Sequence, residues 1–448
     1  MLLRSFAIVS AIALSAGSTR STPAINTSLS YERLGQLQDS LCKSHQEVIC
    51  SFTSAQCIEE ITRRWGSPAE AASAKDYIKQ LCESRRSESE TPGVHLMLQA
   101  YKDKILGVLP QLGRSLSEEP ALGSLPLREI NASVTSNTDE KVRIVAVNDG
   151  LFLLSIAIPK IAAISVPHDA GQVDTSVEAT MLRLRSQPEI LENFALSILA
   201  SNGAGDYPDL PDAEGLDAPI TIAFLQGIEL FALAHEYSHI LLGHTGKKAT
   251  LMMDDPCSPA SAIGDASELQ NNWIEEVEAD VLAQKIVNEI AAEQISRGEG
   301  NIIVDRALPW GPGFYFFMME MRRDARFALD KGRLPPKASK AEEAAAAIVL
   351  KCLDRPGCSP SAALSEARSP VLSMRSHPSP AIRRMIVEHG IANPGASQLD
   401  DDSRKALQIV GTAYRNTGLM WSLWRSRLVE LHRGRFQSRC AIRGGSGR

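Results

Sequence analysis

The chain has 448 residues, 44% apolar and 22% charged, and 47 Lys and Arg stand against 53 Asp and Glu for a net charge of −6. That length suits roughly two to four domains with buried cores, and the mild acidity argues against nucleic acid as main partner, because phosphate binding needs a basic footprint. Aromatics at 5%, with 30 Gly and 24 Pro, exclude a collagen-like or wholly disordered chain and favour helices over an all-β sandwich.

Residues 1–17 read as a secretory signal peptide. Arg4 precedes an apolar run at 6–16 (FAIVSAIALSA), and Ser15, Ala16, Gly17 and Ser18 suit cleavage. The run is shorter than the roughly twenty residues a membrane span needs, and the competing reading is an N-terminal core helix. The eight cysteines agree with export. Cys42, Cys50, Cys57 and Cys82 form one cluster, expected to hold two bridges of open connectivity, and Cys352 and Cys358 form a close pair. A Cys257–Cys440 bridge is a further option. A zinc ribbon is the rival reading, but no CxxC spacing occurs.

Residues 25–126 read as a Cys-rich helical domain. LQDSLCKSHQEVICSF, EEITRRW, AKDYIKQLCESRR and VHLMLQAYKDKILGVL space their apolar residues at helical intervals, and loops are expected at 87–93 and 115–126. A central domain spans 135–393. Its first strand is 141–147 (KVRIVAV), followed by an Asn148-Asp149-Gly150 turn in which Asp149 can cap a helix from Leu151. Helices are expected at 176–185 and 188–200, and a loop at 201–219. Residues 220–242 (ITIAFLQGIELFALAHEYSHILL) make the clearest helix, apolar all round and therefore buried, with Gly243 closing it. After a loop at 247–267, helices follow at 267–294, at 314–329 behind a breaker at 309–313, at 341–353 and at 380–389. Residues 394–448 read as a helical extension, with helices at 403–414 and 419–432 and a loose basic tail. After signal removal no integral membrane segment is expected. The best candidate, 142–164, is interrupted by Asn148-Asp149-Gly150, Pro159 and Lys160.

Three of the nine histidines fall in H-E-Y-S-H-I-L-L-G-H, residues 235–244. His235 and His239 are four apart, so both imidazoles leave one face of a helix and can share one Zn2+. Glu236 follows the first of them, placed to reach a metal-activated water as general base rather than the metal itself. Burying three ionisable groups in an apolar helix costs several kcal/mol unless something pairs them, and a metal does so. The bland alternative is surface histidines or hydrogen-bonded core ones. The third ligand is expected from Glu275-Glu276-Val277-Glu278-Ala279-Asp280, where Glu276 and Asp280 share a face and Ala279 and Ala283 permit close helix approach. Glu276 is assigned as ligand, Asp280 as the acceptor that orients a ligating imidazole. Glu275 and Glu278 read as a solvated stripe. His244 is a tempting third ligand, but its spacing does not fit the metzincin pattern.

HExxH on one helix and E-x-x-A-D on a later one resemble the gluzincin metallopeptidases, and most of all the CAAX-prenyl-protease and HtpX-like family. Ser376-His377-Pro378-Ser379-Pro380-Ala381-Ile382-Arg383 is similar to that family's (S/T)-H-P-x-x-x-x-R segment. The resemblance covers about residues 142–389 and implies a zincin-type α+β, mostly helical fold. It implies that His377 lines the cleft and can stabilise the oxyanion, and that Arg383 anchors its segment or contacts Asp280. It also implies that the strand 142–147 is an edge strand able to hold substrate backbone. Without the family's usual transmembrane helices, a soluble, exported relative is implied, acting on a protein or peptide substrate. HEYSHILLGH is also similar to phage-exclusion and repressor-cleaving gluzincin-like types. The expected function is zinc-dependent endopeptidase; the alternative is an exported, non-catalytic binding or toxin-like protein whose zinc is structural, closed by His244 or Asp254.

Overall fold

The computed structural model of the chain describes residues 28–45, 53–64, 72, 74–83, 85, 90, 93–127, 130–137, 142–169, 172–244, 266–298, 300–336, 338–355, 357–367, 378–391 and 399–435. The signal segment 1–17, Cys50, Asp254, Cys257, His377 and Cys440 lie outside the described residues, as does the side chain of Cys42. The fold is α+β and mostly helical, with a small sheet and a two-stranded ribbon among the described residues. Two compact units emerge: Met1–Ile156 with Asp209–Asp212 and Ala232–Thr250, and Ala157–Pro208 with Ala213–Phe231 and Leu251–Arg448.

In the first unit, helices α1 (Ser28–His45), α2 (Ser54–Arg64), α3 (Lys75–Glu83) and α4 (Val94–Val108) precede strands β1 (Ala121–Leu125), β2 (Ala132–Asn137) and β3 (Val142–Asn148). The Cys57–Cys82 disulfide ties α2 to α3, inside a small core with Ile61 and Ile78. A second core sets Leu34 and Leu41 of α1 against Ala121, Leu125, Ile144 and Ala146 of the sheet. β1 falls where the sequence suggests only a loop. Its Gly123 reads as a breaker, yet a Cβ there would sit 2.7 Å from a Leu34 methyl and 3.1 Å from the Glu90 carboxylate, so close packing against α1 explains the glycine.

The sheet corrects a second expectation. β3 pairs in parallel with β1 and antiparallel with β2, in the order β1-β3-β2. The strand expected at an edge is therefore central, and both its hydrogen-bonding sides are taken. No separate turn follows it: β3 passes directly into α5 (Asp149–Ile164). The backbone donors at that junction are satisfied by the preceding connection, Asn148 N–H by Asn131 O at 2.8 Å and Gly150 N–H by Leu127 O at 2.8 Å.

The second unit is built on helices. A ribbon of β4 (His168–Asp169) and β5 (Gln172–Val173) leads to α6 (Val177–Ser186), capped by the Ser176 hydroxyl, and α7 (Pro188–Ser201). Then come α8 (Asp217–Leu241), whose last turns belong to the first unit, α9 (Ala266–Arg297), α10 (Ile302–Ala307) and a 3-10 turn, Leu308–Trp310. α11 (Gly311–Lys331), α12 (Lys340–Leu353), α13 (Pro360–Glu366), α14 (Pro380–Gly390) and α15 (Asp401–Arg435) complete it. α8 is long and apolar enough to cross a membrane, but 83% of its most apolar stretch is buried inside the chain's own fold, as for a core helix.

Two differences from the sequence reading have clear causes. The breaker at 309–313 is a helix start, because Pro312 sits in the first turn of α11, where its missing N–H costs nothing. Gly311 is there for proximity. A Cβ on it would lie 2.2 Å from Gly227 C, so the backbones of α8 and α11 touch at a glycine pair. The two C-terminal helices expected at 403–414 and 419–432 are one, α15. Asn416, at the expected break, is buried and tied at both ends of its amide: Nδ2 donates to Ser165 O at 3.0 Å, and Oδ1 accepts from Thr180 Oγ1 at 3.0 Å. These tertiary bonds outweigh the weak helix propensity of Asn, Thr and Gly there.

α9 and α14 meet in a core of Trp273, Val277, Ile382 and Ile386, closed by Ala345, Val349 and Leu364 from α12 and α13. The Cys352–Cys358 disulfide closes the α12–α13 connection. This packing fixes the face of α9 that carries Glu276 and Asp280.

Candidate metal centre

α8 carries His235 and His239 near its C-terminal end. Around them the helix is buried: His235 is 8% and Glu236 7% exposed, while Ala234, Tyr237 and Ser238 are fully buried. The Ser238 hydroxyl is turned back to Ala234 O at 2.7 Å and does not compete with the imidazoles. The Tyr237 hydroxyl has no hydrogen-bond partner among the described residues, and burial, with Glu119 beside it, drives its pKa well up, so it stays neutral. Gly243, at φ 75°, ends the helix in the left-handed region as expected.

The i, i+4 spacing does what it predicts. His235 Nε2 and His239 Nε2 face each other at 3.0 Å, with the rings edge-on and 4.6 Å between centroids. Two imidazole nitrogens bound to one tetrahedral zinc at about 2.0–2.1 Å stand roughly 3.3 Å apart, so little adjustment is needed. Glu276 completes the group: the ligand atoms of His235, His239 and Glu276 all lie within 4.8 Å of one another. Two imidazoles and one carboxylate therefore form a set that can bind a metal ion.

Within the second unit a chain of contacts places Glu276. Phe231, one turn before His235 on α8, packs edge-on against Phe316 of α11, with ring centroids 5.4 Å apart. The Arg383 guanidinium of α14 sits 4.5 Å over the Phe316 ring. From there Arg383 forks onto both acids of α9. Its Nη1 meets Glu276 Oε2 at 2.9 Å, while Nε and Nη2 donate to Asp280 Oδ2 and Oδ1, each at 2.7 Å. Burial would lower the Arg383 pKa, but the charges of Asp280 and Glu276 outweigh it and hold the guanidinium above its ordinary range. Arg383 thus ties Glu276 and Asp280 together on one face of α9.

His235, His239 and Glu276 form a group that could hold a metal ion, and Arg383 links Glu276 to Asp280. Asp280 meets Arg383, a contact the resemblance implies. Both its oxygens accept from Arg383, because it sits one helical turn beyond Glu276 on the side facing α14. At the Nδ1 of His239 stands His244, 3.1 Å from Nδ1 to Nδ1. That contact and the Phe316 platform are what sequence reasoning missed. Phe316 lies in an aromatic run that carries no sign of a cation platform, and His244 reads from the sequence only as a candidate ligand. Glu275 and Glu278 are both partly exposed.

Compared with protein-family models, curated proteins and solved structures, the chain matches none.

Proposed function

We propose that this chain is a zinc-dependent endopeptidase of the gluzincin kind, resembling the CAAX-prenyl-protease and HtpX-like peptidases, and that it acts outside the cytoplasm on a protein or peptide substrate. The carrying observation is the convergence of His235 Nε2, His239 Nε2 and a Glu276 oxygen, with Glu236 following the first ligand in a buried helix. Two disulfides support an oxidising compartment.

In this reading His235, His239 and Glu276 hold the ion. When bound, zinc lowers the pKa of a water towards 7 and polarises a carbonyl. The chain's own residues do the rest. His235 and His239 present Nε2 lone pairs, so each carries its proton on Nδ1. Glu236 accepts the proton of the attacking water and returns it to the leaving amine, so the peptide C–N bond breaks and a carboxylate and an amine are released. Arg383 restrains Glu276 through Oε2, and its tie to Asp280 anchors α14 beneath the site. His377, six residues before Arg383, is assigned to the substrate carbonyl. The structural-zinc alternative needs a fourth ligand. His244 approaches His239 at Nδ1, the nitrogen opposite the one turned to His235, which favours the open site.

The test is metal content and peptide cleavage of the purified protein. The parent should hold about one zinc per chain and lose cleavage on chelation. Glu236→Gln should keep the zinc and lose cleavage by several orders of magnitude, and Glu276→Gln should lose most of the zinc. Full activity in Glu236→Gln, or unchanged zinc in Glu276→Gln, would overturn the assignment.

A further inference from the structure

A ligating imidazole has two nitrogens, and the second one decides how the first is aimed. His239 turns Nε2 to His235 at 3.0 Å and Nδ1 to His244 at 3.1 Å, and the His239 and His244 rings lie edge-on with centroids 5.3 Å apart. This contact is not a product of helical spacing. Residues five apart on a continuous α-helix point about 140° away from each other around the axis. The chain escapes that geometry at Gly243, whose φ of 75° turns it out of α8 and folds His244 back over the His239 ring. The amide N–H of Gly243 still closes on Ile240 O at 3.1 Å, so the turn is fixed rather than frayed.

We propose that His244 is the positioning residue of His239. This inference rests on the metal-site reading above. With Nε2 given to a cation, His239 must carry its proton on Nδ1, and that N–H donates to the Nδ1 lone pair of His244. In that arrangement His244 accepts at Nδ1. The result is an imidazole–imidazole pair in place of the carboxylate or carbonyl that more often orients a metal-bound histidine. It fixes the tautomer and the plane of His239 without adding a negative charge to the site. His244 acts through His239 and does not ligate.

The experiment uses the full chain, stripped by chelator, with zinc affinity measured by competition against a chromophoric chelator and cobalt(II) as a spectroscopic probe of the ligand set. His244→Ala should weaken zinc binding about 10- to 100-fold while keeping the parent stoichiometry at saturation, and should shift the visible cobalt bands. His244→Asn, whose amide oxygen can stand where Nδ1 stood, should recover most of the affinity. Gly243→Ala, strained at positive φ, should reproduce the His244→Ala loss. Equal zinc affinity and an unchanged cobalt spectrum in His244→Ala would overturn the proposal while leaving the metal site intact. Loss of stoichiometric binding in His244→Ala would overturn it by making His244 a ligand. A parent chain that takes up no zinc would overturn it together with the reading beneath it. Circular dichroism of each metal-free variant separates these outcomes from misfolding.

Discussion

Replacing Arg383 by Leu tests how the site is held more sharply than removing a ligand does. The guanidinium makes three charge-assisted contacts, at 2.7, 2.7 and 2.9 Å, and covers the Phe316 ring. The acids it serves are not equivalent. The Asp280 side chain has no exposure, whereas Glu276 keeps 13%. Stranding a fully buried carboxylate costs about 3–5 kcal/mol, much of it the desolvation of a charge with no counterion, and partly solvated Glu276 adds the smaller share. Arg383→Leu should therefore lose about 3–5 kcal/mol in urea unfolding of the metal-free chain, seen as a lower midpoint at unchanged slope. Removing the buried acid as well should undo most of that loss, because an apolar pair of similar volume replaces the ion pair without burying a charge. The cycle of Arg383→Leu, Asp280→Leu and the double variant should give a coupling of about 2 kcal/mol or more, in the sense that the double variant beats the sum of the singles. A single variant losing less than about 1 kcal/mol, or additive singles, would refute the claim that Arg383 is the counterion that makes Asp280 tolerable.

Other consequences are simpler to state. Gly311→Ala places a Cβ 2.2 Å from the Gly227 backbone, so α8 and α11 must separate; the expected loss is about 1–3 kcal/mol, with a lower melting temperature, and a parent-like melt would deny the close crossing. The Cys57–Cys82 and Cys352–Cys358 disulfides span separations of 25 and 6, for which chain entropy gives about 3.5 and 2.2 kcal/mol. Paired Ser substitutions should destabilise in that order in urea titrations, and a reversed order would contradict the entropic account. Asp400 accepts from Ser403 N–H at 2.6 Å in the first turn of α15, and that backbone bond lowers its pKa below 3.8. A depressed folded pKa means stability present above the unfolded pKa and lost as pH falls through the folded one. Asp400→Ala should be less stable than the parent at neutral pH and indistinguishable near about pH 2; a difference independent of pH would exclude the cap.

What could be read in the sequence was local. The two histidines and the glutamate of α8 depend only on helical spacing and an apolar run, and the structure places the helix at Asp217–Leu241 against an expected 220–242. Glu276 and Asp280 could be put on one face of α9 for the same reason. What could not be read depends on distant chain. Gly123 and Gly311 look like breakers until Leu34 and Gly227 are seen pressed against them. Asn416-Thr417-Gly418 looks like a helix end until Ser165 and Thr180 are found holding the Asn416 amide. Nor does spacing alone show that Arg383 bridges Glu276 and Asp280 at once, since that depends on how α14 packs on α9.

That bridge has an electrostatic logic. Glu276 and Asp280 alone would put two negative charges on one turn of α9, and a cation held by both would be bound by an oxygen-rich, doubly charged set suited to magnesium or calcium. Arg383 neutralises one of the two and takes Asp280 as its own partner through both oxygens. One net negative charge remains, on Glu276, beside the two imidazoles. A nitrogen-rich donor set with a single carboxylate suits zinc and other late first-row ions over magnesium and calcium. In the proposed metal site, the fork of Arg383 would therefore favour selectivity as well as stability. In the metal-free chain, zinc should be taken up in the presence of a large excess of magnesium, and Arg383→Leu should narrow that preference by leaving the Asp280 charge unneutralised one turn from Glu276.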